Sequence, residues 1–171
     1  HGCNDNMPMM ATKGLLLGGE FLGDEAAQRH GLWNLNEFRR LLSRSAWASE
    51  FNSSTYSAST LCSLAKIGEL SHSEEVRALA RDCEARIWAE ILLHFHPGTR
   101  RSAGPNCRSY AVDWAGHPHS LQVQLWILFG AELSGYDIPA DLFGAEPDPL
   151  QVVHFGGNYM QNIAEFCEFT S

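Results

Sequence analysis

Positive charge is scarce in this sequence of 171 residues: 12 Lys and Arg stand against 20 Asp and Glu, which gives a formal net charge of -8. Binding to a nucleic-acid backbone requires clustered Lys and Arg side chains that displace counterions. The composition therefore argues against a nucleic-acid partner. A small anionic substrate is still compatible with it, because a few Arg and His side chains can form a local positive pocket in an acidic protein.

Long apolar runs are also missing. No run reaches the roughly 18 residues that a membrane-spanning helix needs, and no charged-then-apolar signal segment opens the chain, so we predict no membrane partner. The chain begins without Met and enters a helical pattern almost at once, which favours an internal piece of a longer protein over a processed mature end.

The cysteines show no close pair at zinc-finger or redox-motif spacing. In a cytosolic chain they fit buried small apolar side chains, and in an exported chain they allow one or two disulfides. A secreted or periplasmic location is favoured. The five cysteines are Cys3, Cys62, Cys83, Cys107 and Cys167.

Apolar residues recur mostly at helical spacing, and segments typical of strands are nearly absent. The pattern predicts an all-α fold of successive helical hairpins in a single domain, residues 1–171. The first helix runs from Met7 to Phe21, with Met10, Leu17 and Phe21 at helical spacing. Later helices are predicted to be capped by Asp24, by Ser53 or Ser54, by Ser73 and by Ser120.

One polar segment interrupts the helices: "PGTRRSAGPNCRSYAVDWAGHPH", residues 97–119. It is rich in Gly, Pro, Arg and His, which makes it too polar for a core, and it is too long for a simple connection between packed helices. Loops of this kind usually carry function. We therefore predict that loop 97–119 is functional.

Two motifs resemble a known group of enzymes. "NDN" at residues 4–6 heads a helix, and "SEFNSSTY" follows, with Tyr56 fifty positions after Asn6. This arrangement resembles the toroid region of heparinase II/III-like and oligoalginate lyases, in which an Asn-Asn-His or Asn-His motif precedes a Glu-x-Ser-x-x-Tyr-like motif at about that distance. Asn6 stands where the lyase pattern has His.

The resemblance extends along nearly the whole chain through "GPNCRSY", "GHPHSLQ" and "QVVHFGGN", which are similar to segments of a largely uncharacterised group of toroid proteins related to those lyases. It implies a complete or partial (α/α) toroid that acts on a polysaccharide or oligosaccharide. A partial toroid would be completed by an oligomer or by the rest of a longer chain.

The resemblance further implies β-elimination from a uronate-containing glycan. That reaction removes a weakly acidic proton beside a carboxylate, so the enzyme must neutralise the carboxylate and stabilise the developing charge. A tyrosine can serve as base if a nearby cation lowers its pKa from about 10. By the resemblance, Tyr56 is preferred to Tyr110 as base, with Arg108 as the cation. Neutralisation is expected from Asn4, Asn6, His117 and His119.

Hydrolysis is the first alternative, because two carboxylates can flank a glycosidic bond. Asp5 and Glu50 are the pair to expect, since the resemblance places their loops at the same end of adjacent hairpins. The toroid scaffold supports both reactions, so the fold does not choose between them. The substrate-binding residues predicted for either reaction are Asn4, Asp5, Asn52, His117, His119 and Trp114.

A non-catalytic subunit that binds sugar or another chain is the second alternative. Trp114 lies in the polar loop and could stack on a sugar, whereas Trp33 and Trp126 lie in apolar stripes and are expected in the core. Asn4, Asp5 and Asn52 would then act as helix caps, and Tyr56 as a core aromatic residue.

No obligatory cofactor is predicted, and a zinc or other divalent-metal site is the open alternative. His94-Phe95-His96 and His117-Pro118-His119 are both His-x-His pairs, whose imidazoles point to one side of an extended chain. Together with His154 and a carboxylate such as Asp113 they would suit a first-row metal.

Overall fold

The computed structural model describes residues 4–108 and 120–134, and most of these residues are in helices. A continuous helical stretch comes first: α1 (Asn6–Lys13), a π-helical turn (Gly14–Gly18) and α2 (Gly19–Leu22). The following elements are α3 (Glu25–Ser45), α4 (Tyr56–Leu70), α5 (Glu74–His94), strands β1 (Phe95–His96) and β2 (Arg101–Ser102), and α6 (Ser120–Ser134).

The all-α prediction is confirmed, since the part of the chain that the structure describes has only one short antiparallel pair of strands. Within the two described ranges, no helix is long and apolar enough to cross a membrane. Helices α3 and α4 each pack against both α1 and α5, and closure into a toroid stays a prediction.

Local side chains set the helix ends where the sequence predicts them. Gly23 adopts a left-handed conformation (φ 69°) at the end of α2, and Asp24 Oδ1 then accepts hydrogen bonds from the backbone N–H groups of Ala26 and Ala27. The Ser73 hydroxyl accepts the Val76 N–H at the start of α5. These contacts satisfy N–H groups that have no partner within a helix, and the caps predicted at Asp24 and Ser73 are confirmed.

The first helical stretch buries a different face from the one that its apolar spacing predicts. Met9 and Leu16 are fully buried, whereas Met10 is 43% and Phe21 88% exposed. Met9 and Leu16 are seven positions apart, which is itself a helical spacing. The predicted period is therefore right, and the buried face differs from the predicted one by one residue, or about 100° around the helix.

Helix α4 is the central helix of the described fold. It packs against α1, α5 and α6. Most of its residues are buried, and they lie on more than one face of the helix; Ser57, Leu61, Leu64 and Ile67 are among them. A helix that lies on a surface buries only one stripe. Its first residue, Tyr56, is partly buried.

Trp33 is a correction to the sequence prediction, because its side chain is 58% exposed and stacks on His30. The buried face of α3 is formed by Leu35, Phe38 and Leu42, and position 33 lies about 200° around the helix from Leu35. Trp126, predicted as core, is partly buried.

Helix α3 approaches the π-helical turn closely at Gly31. A Cβ atom at this position would lie 2.7 Å from Leu16 Cγ and 3.1 Å from the Leu16 backbone nitrogen. Leu16 is itself fully buried, so it has little space into which to move. Only glycine fits this crossing without displacing Leu16.

We expect Gly31→Ala to lower the free energy of unfolding by about 1–3 kcal/mol, because the added methyl group overpacks the crossing. Gly18→Ala is the matched control: Gly18 has helical dihedral angles and open space where a Cβ atom would lie, so alanine should raise stability by about 0.5 kcal/mol. Urea unfolding followed by circular dichroism measures both. Equal stability of the two variants would contradict the described crossing.

Candidate functional site

The segment between α3 and α4, residues 46–55, is here called the α3–α4 loop. It is unusually buried for a connection: Glu50, Asn52, Ser53 and Ser54 are each at most 3% exposed. Loops normally run over the surface because their backbone N–H and C=O groups need water. A buried loop must instead find its hydrogen-bond partners within the protein.

Asp5 and Glu50 supply part of those partners through a reciprocal arrangement. Glu50 Oε2 accepts hydrogen bonds from the backbone N–H groups of Asp5 (2.9 Å) and Asn6 (2.8 Å). Asp5 Oδ2 accepts the Glu50 N–H (2.8 Å). Glu50 thus caps the N-terminus of α1, where the orphan N–H groups and the helix dipole favour a carboxylate.

The contact between the start of α1 (Asp5 and Asn6) and Glu50 is here called the junction. Three of its oxygens are buried without a hydrogen-bond partner among residues 4–108 and 120–134: Asp5 Oδ1, Asn6 Oδ1 and Glu50 Oε1. Buried acceptors of this kind are few in folded proteins and call for an explanation. Glu50 Oε1 also lies 3.3 Å from Nη1 of Arg108, whose side chain is 39% exposed. An accessible guanidinium therefore faces a buried carboxylate.

The same guanidinium lies against Tyr56. The Arg108 Cζ atom is 5.2 Å from the centroid of the Tyr56 ring, within the range of a cation–π contact. Arg108 also has a left-handed backbone (φ 53°). This conformation is uncommon for a residue with a side chain and is often found at functional sites.

Asn52 and Glu90 hold the rest of the α3–α4 loop. The two Glu90 carboxylate oxygens accept the backbone N–H groups of Ala48 and Asn52, and the Asn52 backbone is left-handed (φ 48°). The Asn52 side-chain amide donates toward residues 103–106. The Asn52 amide nitrogen is thus hydrogen-bonded to other residues of the protein, and the predicted role of Asn52 in substrate binding stays a prediction.

The structure brings five of the predicted site residues together: Asp5, Asn6, Glu50, Tyr56 and Arg108. Asn4 acts as a helix cap, since its Oδ1 accepts the Met7 N–H. The predicted residues outside the described ranges are Tyr110, Asp113, Trp114, His117, His119 and His154.

The described histidines make separate contacts. His94 Nδ1 donates to the Glu90 carbonyl, and its ring packs edge-on against Trp47 and Phe51. His96 Nδ1 contacts Thr99. Within the part of the chain that the structure describes, no group of three or more His, Cys, Asp or Glu residues could hold a metal. The zinc hypothesis names His94, His96 and His154 as ligands, with His117 and His119 as further candidates, and it stays a prediction.

One comparison identifies a family. A family model described as "Domain of unknown function (DUF8769)" matches residues 3–145, more than half of the chain. The chain belongs to the DUF8769 family. No curated protein and no solved structure matches it. Membership assigns no activity, and the resemblance to the lyases stays a prediction.

Glu90 is the residue of this DUF8769 domain that sequence reasoning misses. It is 1% exposed and lies on the buried face of α5 with Cys83, Ile87 and Ile91. A carboxylate at helical spacing within an apolar stripe is the signal that could have identified it, because a buried Glu requires specific partners.

A cavity of about 300 Å³ lies between α3 and α5, apart from this junction, and is lined in part by Arg39, Cys83 and Arg86. Burial raises the pKa of the Cys83 thiol to about 12. The negative charge of Asp82 raises this pKa further by a smaller amount, and the positive charge of Arg39 lowers it. The thiol is therefore protonated near neutral pH and is a poor nucleophile.

Removal of the Glu50 carboxylate tests the junction. We expect Glu50→Ala to lower the free energy of unfolding by about 3 kcal/mol, because two buried N–H groups lose their acceptor. Glu50→Gln retains one oxygen for those N–H groups and should cost less. Urea unfolding of both variants gives the comparison, and equal losses for Ala and Gln would contradict the role assigned to Oε2.

Proposed function

We propose that this DUF8769 domain acts on carbohydrate and cleaves an acidic glycan by β-elimination at a uronate residue, with Tyr56 as base. The observation that carries the proposal is the position of Arg108, whose guanidinium lies against the Tyr56 ring and beside the Glu50 carboxylate. A phenol next to a fixed, solvent-accessible cation is a suitable arrangement for base-assisted elimination.

The reaction needs only side chains of the protein. The Tyr56 phenolate takes the proton from the carbon beside the uronate carboxylate. The electron pair left behind forms a carbon–carbon double bond, and the bond to the glycosidic oxygen breaks. The proton then passes from Tyr56 to the departing oxygen, so that the products are an unsaturated uronate and a free hydroxyl. Arg108 stabilises the negative charge that develops as the first proton leaves.

Neutralisation of the substrate carboxylate is a separate requirement. The junction holds two buried carboxylates, Asp5 and Glu50, against the one guanidinium of Arg108 among the described residues. This balance is unfavourable for an anion unless further donors approach it. Asn6 lies at the junction and can donate through its amide. His117 and His119 follow Arg108 in the same predicted loop and are the residues proposed to complete the neutralisation.

Hydrolysis is the second candidate, favoured by one observation. Asp5 Oδ1 has no hydrogen-bond partner among the described residues, and Glu50 Oε1 has the partly exposed Arg108 guanidinium beside it at 3.3 Å, so each carboxyl group has one oxygen that no backbone N–H group occupies. Glu50, which contacts the Arg108 guanidinium, would then serve as nucleophile or general base, and Asp5 as the acid. The other oxygen of each group is bound to backbone N–H groups, which restricts its movement.

A panel of uronate polysaccharides and neutral glycans tests the proposal, with ultraviolet absorbance reporting unsaturated ends and a reducing-sugar assay reporting all cleavage. We expect new absorbance with a uronate glycan. Tyr56→Phe should lower kcat by at least about 10²-fold, because it removes the base. Arg108→Ala should cause a loss of similar order, because it removes a preorganised charge.

Arg100→Ala is the matched control for Arg108. Arg100 lies in the same predicted loop, is exposed and has a similar left-handed backbone (φ 54°), so its substitution should leave kcat unchanged. New reducing ends without new ultraviolet absorbance would show hydrolysis instead of elimination, and Asp5 and Glu50 would then be the proposed catalytic residues. Full activity of both Tyr56→Phe and Arg108→Ala would show that the site is wrong, and inactivity on every glycan would contradict an enzymatic role.

A further inference from the structure

Glu90 is buried to 1% exposure in α5 and uses both carboxylate oxygens on the α3–α4 loop. Its Oε2 accepts the Ala48 N–H at 3.0 Å, and its Oε1 accepts the Asn52 N–H at 2.8 Å. Glu50 lies midway between these two residues in the sequence. Glu90 therefore holds the loop on both sides of the residue that contacts Arg108 and α1.

The Asn52 side chain links the α3–α4 loop to the segment before Arg108. Its Nδ2 atom lies within hydrogen-bond distance of three acceptors in residues 103–106, in the segment that leads directly to Arg108. The acceptors are Ala103 O at 2.6 Å, Asn106 Oδ1 at 2.7 Å and Pro105 O at 3.1 Å.

A backbone contact reinforces the same link. The Cys107 N–H donates to the Phe51 carbonyl at 3.0 Å, so the residue before Arg108 is bonded to the residue before Asn52. The α3–α4 loop and residues 103–107 consequently form one hydrogen-bonded unit. Glu90 is the buried charge that supports it, and charge-assisted bonds of this kind are stronger than neutral ones.

We infer that Glu90 is a positioning residue for the Tyr56–Arg108 pair. It sets the α3–α4 loop through Ala48 and Asn52, and the loop sets Arg108 over Tyr56 and beside Glu50. The catalytic consequence of this inference rests on the proposed function, whereas its geometric consequence can be measured without any substrate.

The experiment uses ¹⁹F NMR of the full chain labelled with 3-fluorotyrosine. The resonance that disappears in Tyr56→Phe is that of Tyr56, and Arg108→Ala should shift it because the adjacent charge is removed. Glu90→Gln offers one acceptor oxygen to two N–H groups, so one of them loses its partner and the loop must shift. We expect this variant to move the Tyr56 resonance as well.

A double variant separates positioning from general loosening of the structure. If Glu90 acts through Arg108, Glu90→Gln should change the Tyr56 resonance far less when Arg108 is already Ala, because coupled residues give non-additive effects. Glu84→Gln is the matched control. Glu84 lies on the same helix and contacts Trp88 locally, so its substitution should leave the Tyr56 resonance in place.

Asn52→Gly provides an independent variant in case Glu90→Gln does not fold. Glycine accepts the left-handed backbone of position 52 readily, and this change removes only the side-chain link to residues 103–106. It should also shift the Tyr56 resonance. Folded Glu90→Gln or Asn52→Gly protein with an unmoved Tyr56 resonance would overturn the inference.

Kinetics then connect the inference to the proposed function. If the wild-type chain eliminates, Glu90→Gln should lower kcat by about 10²-fold with a smaller change in KM, since misplaced catalytic groups affect the transition state most. An unchanged kcat would contradict the catalytic part of the inference. If the wild-type chain proves inactive while the Tyr56 resonance shifts as expected, the positioning role stands and the proposed function fails.

Discussion

Buried carboxylates that accept backbone N–H groups are the interaction on which the candidate site depends. The α3–α4 loop is interior, so each of its amide groups must find a partner away from water. Glu90 provides two acceptor oxygens from α5, and Glu50, within the loop, caps the start of α1. Without these carboxylates the loop could not stay buried, and Tyr56 and Arg108 would not be held at one place.

The central position of α4 explains why the site forms where it does. Its first residue is Tyr56, and the start of α1 and the segment ending at Arg108 lie beside it. The N-terminal end of α1 has a partial positive charge from its peptide dipoles, and this matches the Glu50 carboxylate. The site is therefore assembled from a helix start, a buried loop and a polar segment that lie far apart in the sequence.

Local features of the fold could be predicted from the sequence because local side chains determine them. Asp24 and Ser73 cap the helices that follow them. Asn6, Glu50, Tyr56 and Arg108, which the resemblance groups into one site, are linked by contacts in the structure, and their functional role stays a prediction. The buried face of the first helical stretch could not be predicted, since apolar residues occupy two neighbouring faces of it, and Met9 and Leu16 are buried whereas Met10 and Phe21 are exposed.

Long-range features were the harder part. The partners of Glu90 and Asn52 are 38 or more positions away, so no local pattern indicates them. Trp33 shows a related limit, because an apolar side chain near a stripe is not necessarily within it. Closure of a toroid depends on contacts between distant hairpins, which helical periodicity does not determine.

The most direct test of the account is amide NMR of the Tyr56→Phe variant during titration with an oligouronate that this variant cannot cleave. The account predicts that chemical-shift changes concentrate at Asn6, Glu50, position 56 and Arg108. It also predicts that the methyl-esterified oligouronate binds more weakly, because the carboxylate charge is lost. Changes centred instead on the cavity lined by Arg39 and Arg86, or no changes at all, would contradict the central claim.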